Sequence, residues 1–127
     1  MSEIREVATG LQFPEGPIAM PNGDVILVEI ARGTLSRVKP GGTVEVVAET
    51  GGGPNGAAIG PDSACYVCNN GGFRWHFKGD KILPGYQDDD YSGGRIERVD
   101  LETGAVEVLY SECDGHPLRG PNDIVFD

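Results

Sequence analysis

The sequence predicts an all-β protein made of repeated four-stranded sheets, arranged as a β-propeller. Three observations predict it. Short runs of alternating apolar residues, bounded by Gly, Pro, Asn and Asp, recur along the 127 residues, and no stretch carries a helical period. Twenty glycines and nine prolines make a turn-rich composition, unlike that of a helical bundle. A loop ending in proline, an acid or amide, and then a third polar or small residue runs three times into an apolar strand. These loops are Pro14-Glu15-Gly16, Pro54-Asn55-Gly56 and Pro121-Asn122-Asp123.

Taken in order, strands are expected over 6–9, 16–20, 25–29, 34–39, 44–49, 56–59, 64–68, 95–100, 106–110 and 124–127. The turn pairs Asn22-Gly23 and Gly41-Gly42 supply the positive φ values that tight hairpins need. The repeat extends beyond the three loops: 17–28 aligns with 57–67 with one residue of slack. Leu35-Ser36-Arg37-Val38 then matches Ile96-Glu97-Arg98-Val99, and 42–47 matches 104–109. Each unit therefore reads as four short antiparallel strands, about 40 residues without insertions, the size of one propeller blade.

The expected units are 10–50, 54–111 and the start of a third at 120–127. Glu15 and Asn55 are 40 residues apart, whereas Asn55 and Asn122 are 67 apart. The excess falls between Asn69 and Ser92, in an insertion holding Phe73-Arg74-Trp75-His76-Phe77 and Asp88-Asp89-Asp90. Such an insertion is either a lid or substrate-shaping loop or a surface elaboration. A closed propeller needs about four or more blades. The chain thus reads as the N-terminal part of a longer protein, and exposed blade edges predict self-association if it is truncated.

Twenty Asp and Glu against ten Lys and Arg give a formal charge of −10. That field repels nucleic acid and anionic membranes and attracts cations. An apolar content of 39% argues against disorder. No run approaches the roughly 20 apolar residues of a membrane span, and the first residues carry no signal-peptide pattern. Three cysteines suggest no disulfide framework, so a reduced, cytoplasmic protein is expected. Cys65-Tyr66-Val67-Cys68 has C-x-x-C spacing, but residues three apart on a strand face opposite sides. Two small buried strand residues are the expectation, not zinc ligands.

Glu15, Asn55 and Asn122 hold equivalent places in the three loops. If the repeats are radial, these positions aim at one axis, and hard oxygen ligands gathered there suit a calcium-like ion. Asn in such loops also serves as a turn residue bonding its own backbone. Glu15, between Phe13 and Ile18, would need a partner if buried. His76 and His116 read as surface residues ahead of a catalytic role, and Phe73 and Trp75 as anchors of their own loop ahead of stacking on a sugar ring. Asp88, Asp89 and Asp90 read as a solvated acidic turn, lacking the Gly and terminal Glu of an EF-hand loop.

Segments 13–17, 53–62, 66–72, 93–100 and 120–127 together resemble the N-terminal part of the gluconolactonase family, which includes senescence marker protein (regucalcin) and bacterial lactonases. The resemblance covers nearly the whole chain. It implies a six-bladed propeller with one divalent ion near the axis, calcium first and zinc or manganese as alternatives. It further implies metal-dependent hydrolysis of sugar-acid lactones, the activity belonging to the complete protein. Glu15 matches the family's metal-binding glutamate, and Asn122 its third-blade asparagine at metal or substrate. Asn55 falls at a second-blade position near substrate. Several members carry an arginine two residues before the third-blade Asn. That place is Gly120 here, and Arg119, one step earlier, is the candidate substrate contact. The general base is expected beyond residue 127, leaving no catalytic residue within this chain. A non-catalytic propeller that binds calcium or a partner is the alternative.

Overall fold

The computed structural model describes residues 2–127, all of it strand, turn and loop with no helix. The first antiparallel sheet holds β1 (Pro14–Ala19), β2 (Val25–Glu29), β3 (Thr34–Val38) and β4 (Val44–Glu49), in that order. The second begins with β5 (Pro54–Ile59) and β6 (Cys65–Asn69). A separate hairpin follows, β7 (Phe73–Lys78) and β8 (Lys81–Gln87), before β9 (Arg95–Val99) and β10 (Val106–Tyr110) complete the sheet. Its order is β10-β9-β6-β5. Short strands β11 (Glu112–Cys113) and β12 (His116–Pro117) pair with each other near the end. Among the described residues, no helix is long and apolar enough to cross a membrane.

The turns form for local reasons. In the β1–β2 turn the Asn22 Oδ1 accepts the Asp24 N–H at 3.0 Å, and Gly23 takes φ +91°. The equivalent β5–β6 turn repeats this with Asp62 Oδ1 accepting the Ala64 N–H at 3.2 Å and Ser63 at φ +65°. The two sheets pack face to face, as adjacent propeller blades do. Ile26, Val28 and Leu35 from one meet Cys65, Val67 and Val99 from the other, all fully buried. Burial pushes the Cys65 thiol up to about 12, and burial with the nearby Asp123 charge also pushes Cys68 up. The thiols are core atoms, as the strand reading expects. A thiol reagent such as DTNB should therefore modify only the exposed Cys113 in the folded protein and all three cysteines in denaturant. Fast reaction of a second native thiol would contradict this packing.

Three sequence expectations need correction. Neither 6–9 nor 124–127 is a strand. Alternation qualifies a segment for a sheet, but a strand also needs a neighbour for its N–H and C=O groups, and among the described residues neither segment has one. Conversely, the insertion contains a hairpin, with Phe77 opposite Ile82 and Trp75 opposite Pro84 and a register shift between Phe73 and Trp75. The remaining strands lie where expected, within two residues at either end.

Register reveals how each blade supports the start of its first strand. Pro14 pairs with Glu29 and Pro54 with Asn69, making Glu29 and Asn69 structural equivalents. Fully buried Glu29 accepts the Gln12 N–H (2.8 Å), Arg32 Nε (2.8 Å), the Ser36 hydroxyl (2.5 Å) and the Thr34 hydroxyl (3.2 Å). Arg32 also donates to the Gly10 carbonyl at 2.8 Å. Buried Asn69 accepts the Gly53 N–H (2.9 Å) and the Gly71 N–H (3.0 Å) and donates to the Gly51 carbonyl (2.9 Å). A carboxylate in one blade and an amide in the other thus hold the loop that leads into the proline.

Candidate metal centre

Glu15 and Asn55 sit on the second residues of β1 and β5, the edge strands at which the two sheets meet, at the end held by Glu29 and Asn69. Two glycines let the backbones converge there. A Cβ on Gly16 would stand 3.0 Å from the Ala57 nitrogen and 3.2 Å from the Gly56 Cα. A Cβ on Gly56 would stand 2.8 Å from the Asp123 Cα and collide with the Asn122 carbonyl oxygen. The small third residue in the first two loops is therefore a requirement of close approach.

The outcome is one small cavity of about 120 Å³, lined by Glu15, Gly16, Asn55, Asn122 and Asp123. Three sequence-selected residues, far apart along the chain, meet at it. Glu15 is exposed and Asn55 half-buried, so the burial argument for Glu15 does not apply. Glu15 instead presents a carboxylate that, among the described residues, is held only by its neighbour Gly16 N–H, at 3.4 Å. Asn22 and Asn70 bond nearby backbone, to Asp24 and Gly72. No such bond engages the Asn55 or Asn122 side chain among the described residues, which leaves both amides available to the cavity.

The donor set is all oxygen: two carboxylates and two amides, with no His or Cys. That chemistry fits a hard cation such as calcium better than zinc, which prefers nitrogen and sulfur. Among the described residues, no three His, Cys, Asp or Glu side chains gather as a candidate cluster. Any ion here would rely on amide oxygens and water as well as carboxylates.

Asp123 was missed by sequence reasoning, although a signal was present. The first two loops place Gly after the acid or amide, and the third places Asp. One of its oxygens accepts the Ile124 N–H at 2.9 Å. Arg119 lies outside this cavity, in another of about 460 Å³ with Gln87, Tyr91, Gly93, Pro117 and Leu118. His76 and His116 are exposed, on β7 and β12. Asp88, Asp89 and Asp90 form an exposed or half-exposed turn in which Asp89 pairs with Arg74 at 2.5 Å.

The β7–β8 hairpin leaves the second sheet at the Asn69 end, the same end as Asn55. Gly71 and Gly72, at φ +95° and +118°, make the bend, and Ser92 N–H and Oγ tie the returning chain to the Gly71 carbonyl. Trp75 packs on Phe13 with ring centroids 5.1 Å apart, and Phe73 meets Trp75 edge-on at 6.1 Å. Phe13 itself holds φ +57°, a left-handed conformation that is costly for a bulky residue.

The profile of the SMP-30/gluconolactonase/LRE-like region matches residues 13–127. No curated protein matches the chain. The match begins at Phe13 and takes in both blades, the hairpin and the third loop, so it includes every residue of the oxygen-lined cavity. With an all-β structure of stacked four-stranded sheets beneath it, the chain belongs to the SMP-30/gluconolactonase/LRE-like family.

Proposed function

We propose that this protein hydrolyses sugar-acid lactones with the help of a divalent ion, calcium first, bound at the junction of its repeats. The observation carrying this reading is the convergence of Glu15, Asn55, Asn122 and Asp123 on one cavity. Glu15 and Asp123 would hold the ion through their carboxylates. Asn122 would contribute its amide oxygen or donate to a substrate hydroxyl, since an amide does both. Asn55, across the cavity, would orient the lactone through its hydroxyls. A bound divalent ion supplies Lewis-acid polarisation of the lactone carbonyl.

Water attack requires a base, and none of these residues is assigned that role. Arg119 lines a different cavity, so no contact with a substrate held among Glu15, Asn55 and Asn122 is assigned to it.

The test is pH-stat hydrolysis of gluconolactone and related lactones by the intact protein with calcium, zinc or manganese. A rate above the metal-only blank is expected, lost with chelator and restored by metal. Calcium binding without turnover across the panel would replace this reading with that of a non-catalytic binding propeller.

A further inference from the structure

We infer that Arg95 is a positioning residue, which clamps the loop leading to Asn55 and both stems of the β7–β8 insertion into one unit. The inference rests on the lactonase reading for the task of Asn55, orienting the substrate. The clamp itself stands on geometry alone.

Arg95 opens β9, where the chain returns from the insertion. Its side chain is only 14% exposed, and each nitrogen of the guanidinium serves a different segment. One donates to the Thr50 carbonyl at 2.9 Å, in the loop between the two sheets. Another donates to the Ser92 hydroxyl at 2.7 Å, in the returning stem. Nε pairs with the buried Glu97 carboxylate.

Glu97 passes that order on to Asn69. The carboxylate oxygen that Arg95 engages also accepts Asn69 Nδ2 at 3.4 Å, which fixes the way the amide faces. Turned so, Asn69 donates to the Gly51 carbonyl, and its Oδ1 accepts the Gly53 and Gly71 N–H groups. Gly53 stands two residues before Asn55, and Gly71 lies in the outgoing stem. The Ser92 hydroxyl and N–H close the ring on the Gly71 carbonyl. The fit is close, since a Cβ on Gly52 would stand 2.5 Å from Asn69 Oδ1 and 3.2 Å from an Arg95 nitrogen.

The first blade is built differently. Register puts Arg95 in the place of Thr34 and Asn69 in that of Glu29. There Arg32 reaches Glu29 from three residues along the chain, so the ion pair is local. In the second blade the ion pair stands on the strand after the insertion, and Arg95 is 45 residues from Thr50. A planar guanidinium holds several partners at fixed angles, which an ammonium on a flexible stem does not. Asn55 makes no side-chain hydrogen bond among the described residues, so the backbone held by Asn69 and Arg95 sets its direction.

Arg95→Lys is the test variant, because it keeps a positive charge beside buried Glu97 and so preserves the fold. In native-state hydrogen exchange, the Gly53 and Gly71 amides should exchange about tenfold faster, and those of β2 and β3 within about twofold of wild type. In turnover of gluconolactone with calcium, Arg95→Lys and Asn55→Ala should each lower kcat/KM about tenfold. The double variant should lose less than about twofold beyond either single one, because both changes act through one side chain. A general loosening that merely lowered the active fraction would instead multiply with Asn55→Ala.

Multiplying losses would overturn the inference. So would exchange that quickens equally in β2 and β3, or that stays at the wild-type rate at Gly53 and Gly71. Faster exchange at both glycines with no lactone hydrolysed would retain the clamp and remove the lactonase reading.

Discussion

Glu15→Gln is expected to lower kcat/KM for lactone hydrolysis by about a hundredfold or more while leaving Tm without added metal within about 2 °C of wild type. The two effects separate because of where Glu15 sits. It is exposed, and among the described residues its side chain accepts a hydrogen bond only from the adjacent Gly16 N–H, so folding loses almost nothing. The cavity, by contrast, loses one of its two carboxylates. An amide keeps the shape and an oxygen donor but removes the charge that makes a divalent ion bind tightly. Thermal melts provide the check independent of turnover. Calcium should raise the wild-type Tm through preferential binding to the folded state, and the variant should show a much smaller rise. Unchanged kinetics with an unchanged calcium response would remove Glu15 from the site.

The second large effect concerns stability. Glu29→Leu is expected to cost about 3–5 kcal/mol at pH 7, the range for stripping one partner from a buried charged network. The loss would leave Arg32, Ser36, Thr34 and the Gln12 N–H facing an apolar side chain. Glu29→Gln should cost about half as much, because the Ser36 hydroxyl can turn from donor to acceptor.

Acid provides a second readout for Glu29. Burial pushes its carboxyl upward, but hydrogen bonds from Ser36, Arg32 and Gln12, with the Arg32 charge, more than offset that. The net direction is below the ordinary value of 4.5. A depressed acid contributes stability that is complete above 4.5 and disappears as pH falls through the lower folded value. The gap between wild type and Glu29→Gln, followed by denaturant unfolding, should therefore narrow below pH 4.5. A gap that widens in acid would mean the carboxylate is not the stabilising form.

Glu97 in the second blade supplies the opposite sign. Burial pushes it above 4.5, and Arg95 and Asn69 offset this only in part. One of its oxygens has no partner among the described residues. Its contribution is full below 4.5 and is lost as pH rises through the raised value. Register makes Glu97 the counterpart of Ser36 and Asn69 that of Glu29, so the two blades carry the acid on different strands.

The repeat, the all-β class and the eight blade strands were legible in the order of residues. So were Glu15 and Asn55, which stand as the second residues of β1 and β5, and Asn122, which lines the same cavity from a loop. These features are local: alternation sets a strand, Gly and Asn set a turn, and a recurring loop marks a recurring unit. Asp123 was legible only as a departure from the Gly of the other loops, and its nearness to the cavity depends on a neighbouring blade. The hairpin's alternation is present at Phe73-Arg74-Trp75-His76-Phe77, but the strand it pairs with carries Pro84 and Gly85, which weaken a strand pattern.

Sequence alone thus determined which residues repeat and which elements they form, because those depend on neighbours along the chain. Tertiary structure decided the rest. It showed that Gly16 and Gly56 let three backbones meet, that Glu15 is open and Glu29 buried, and that the aromatic side of the hairpin turns to Phe13. The physical reason is that burial, charge environment and side-chain facing depend on residues distant in the chain, whose approach no local pattern encodes.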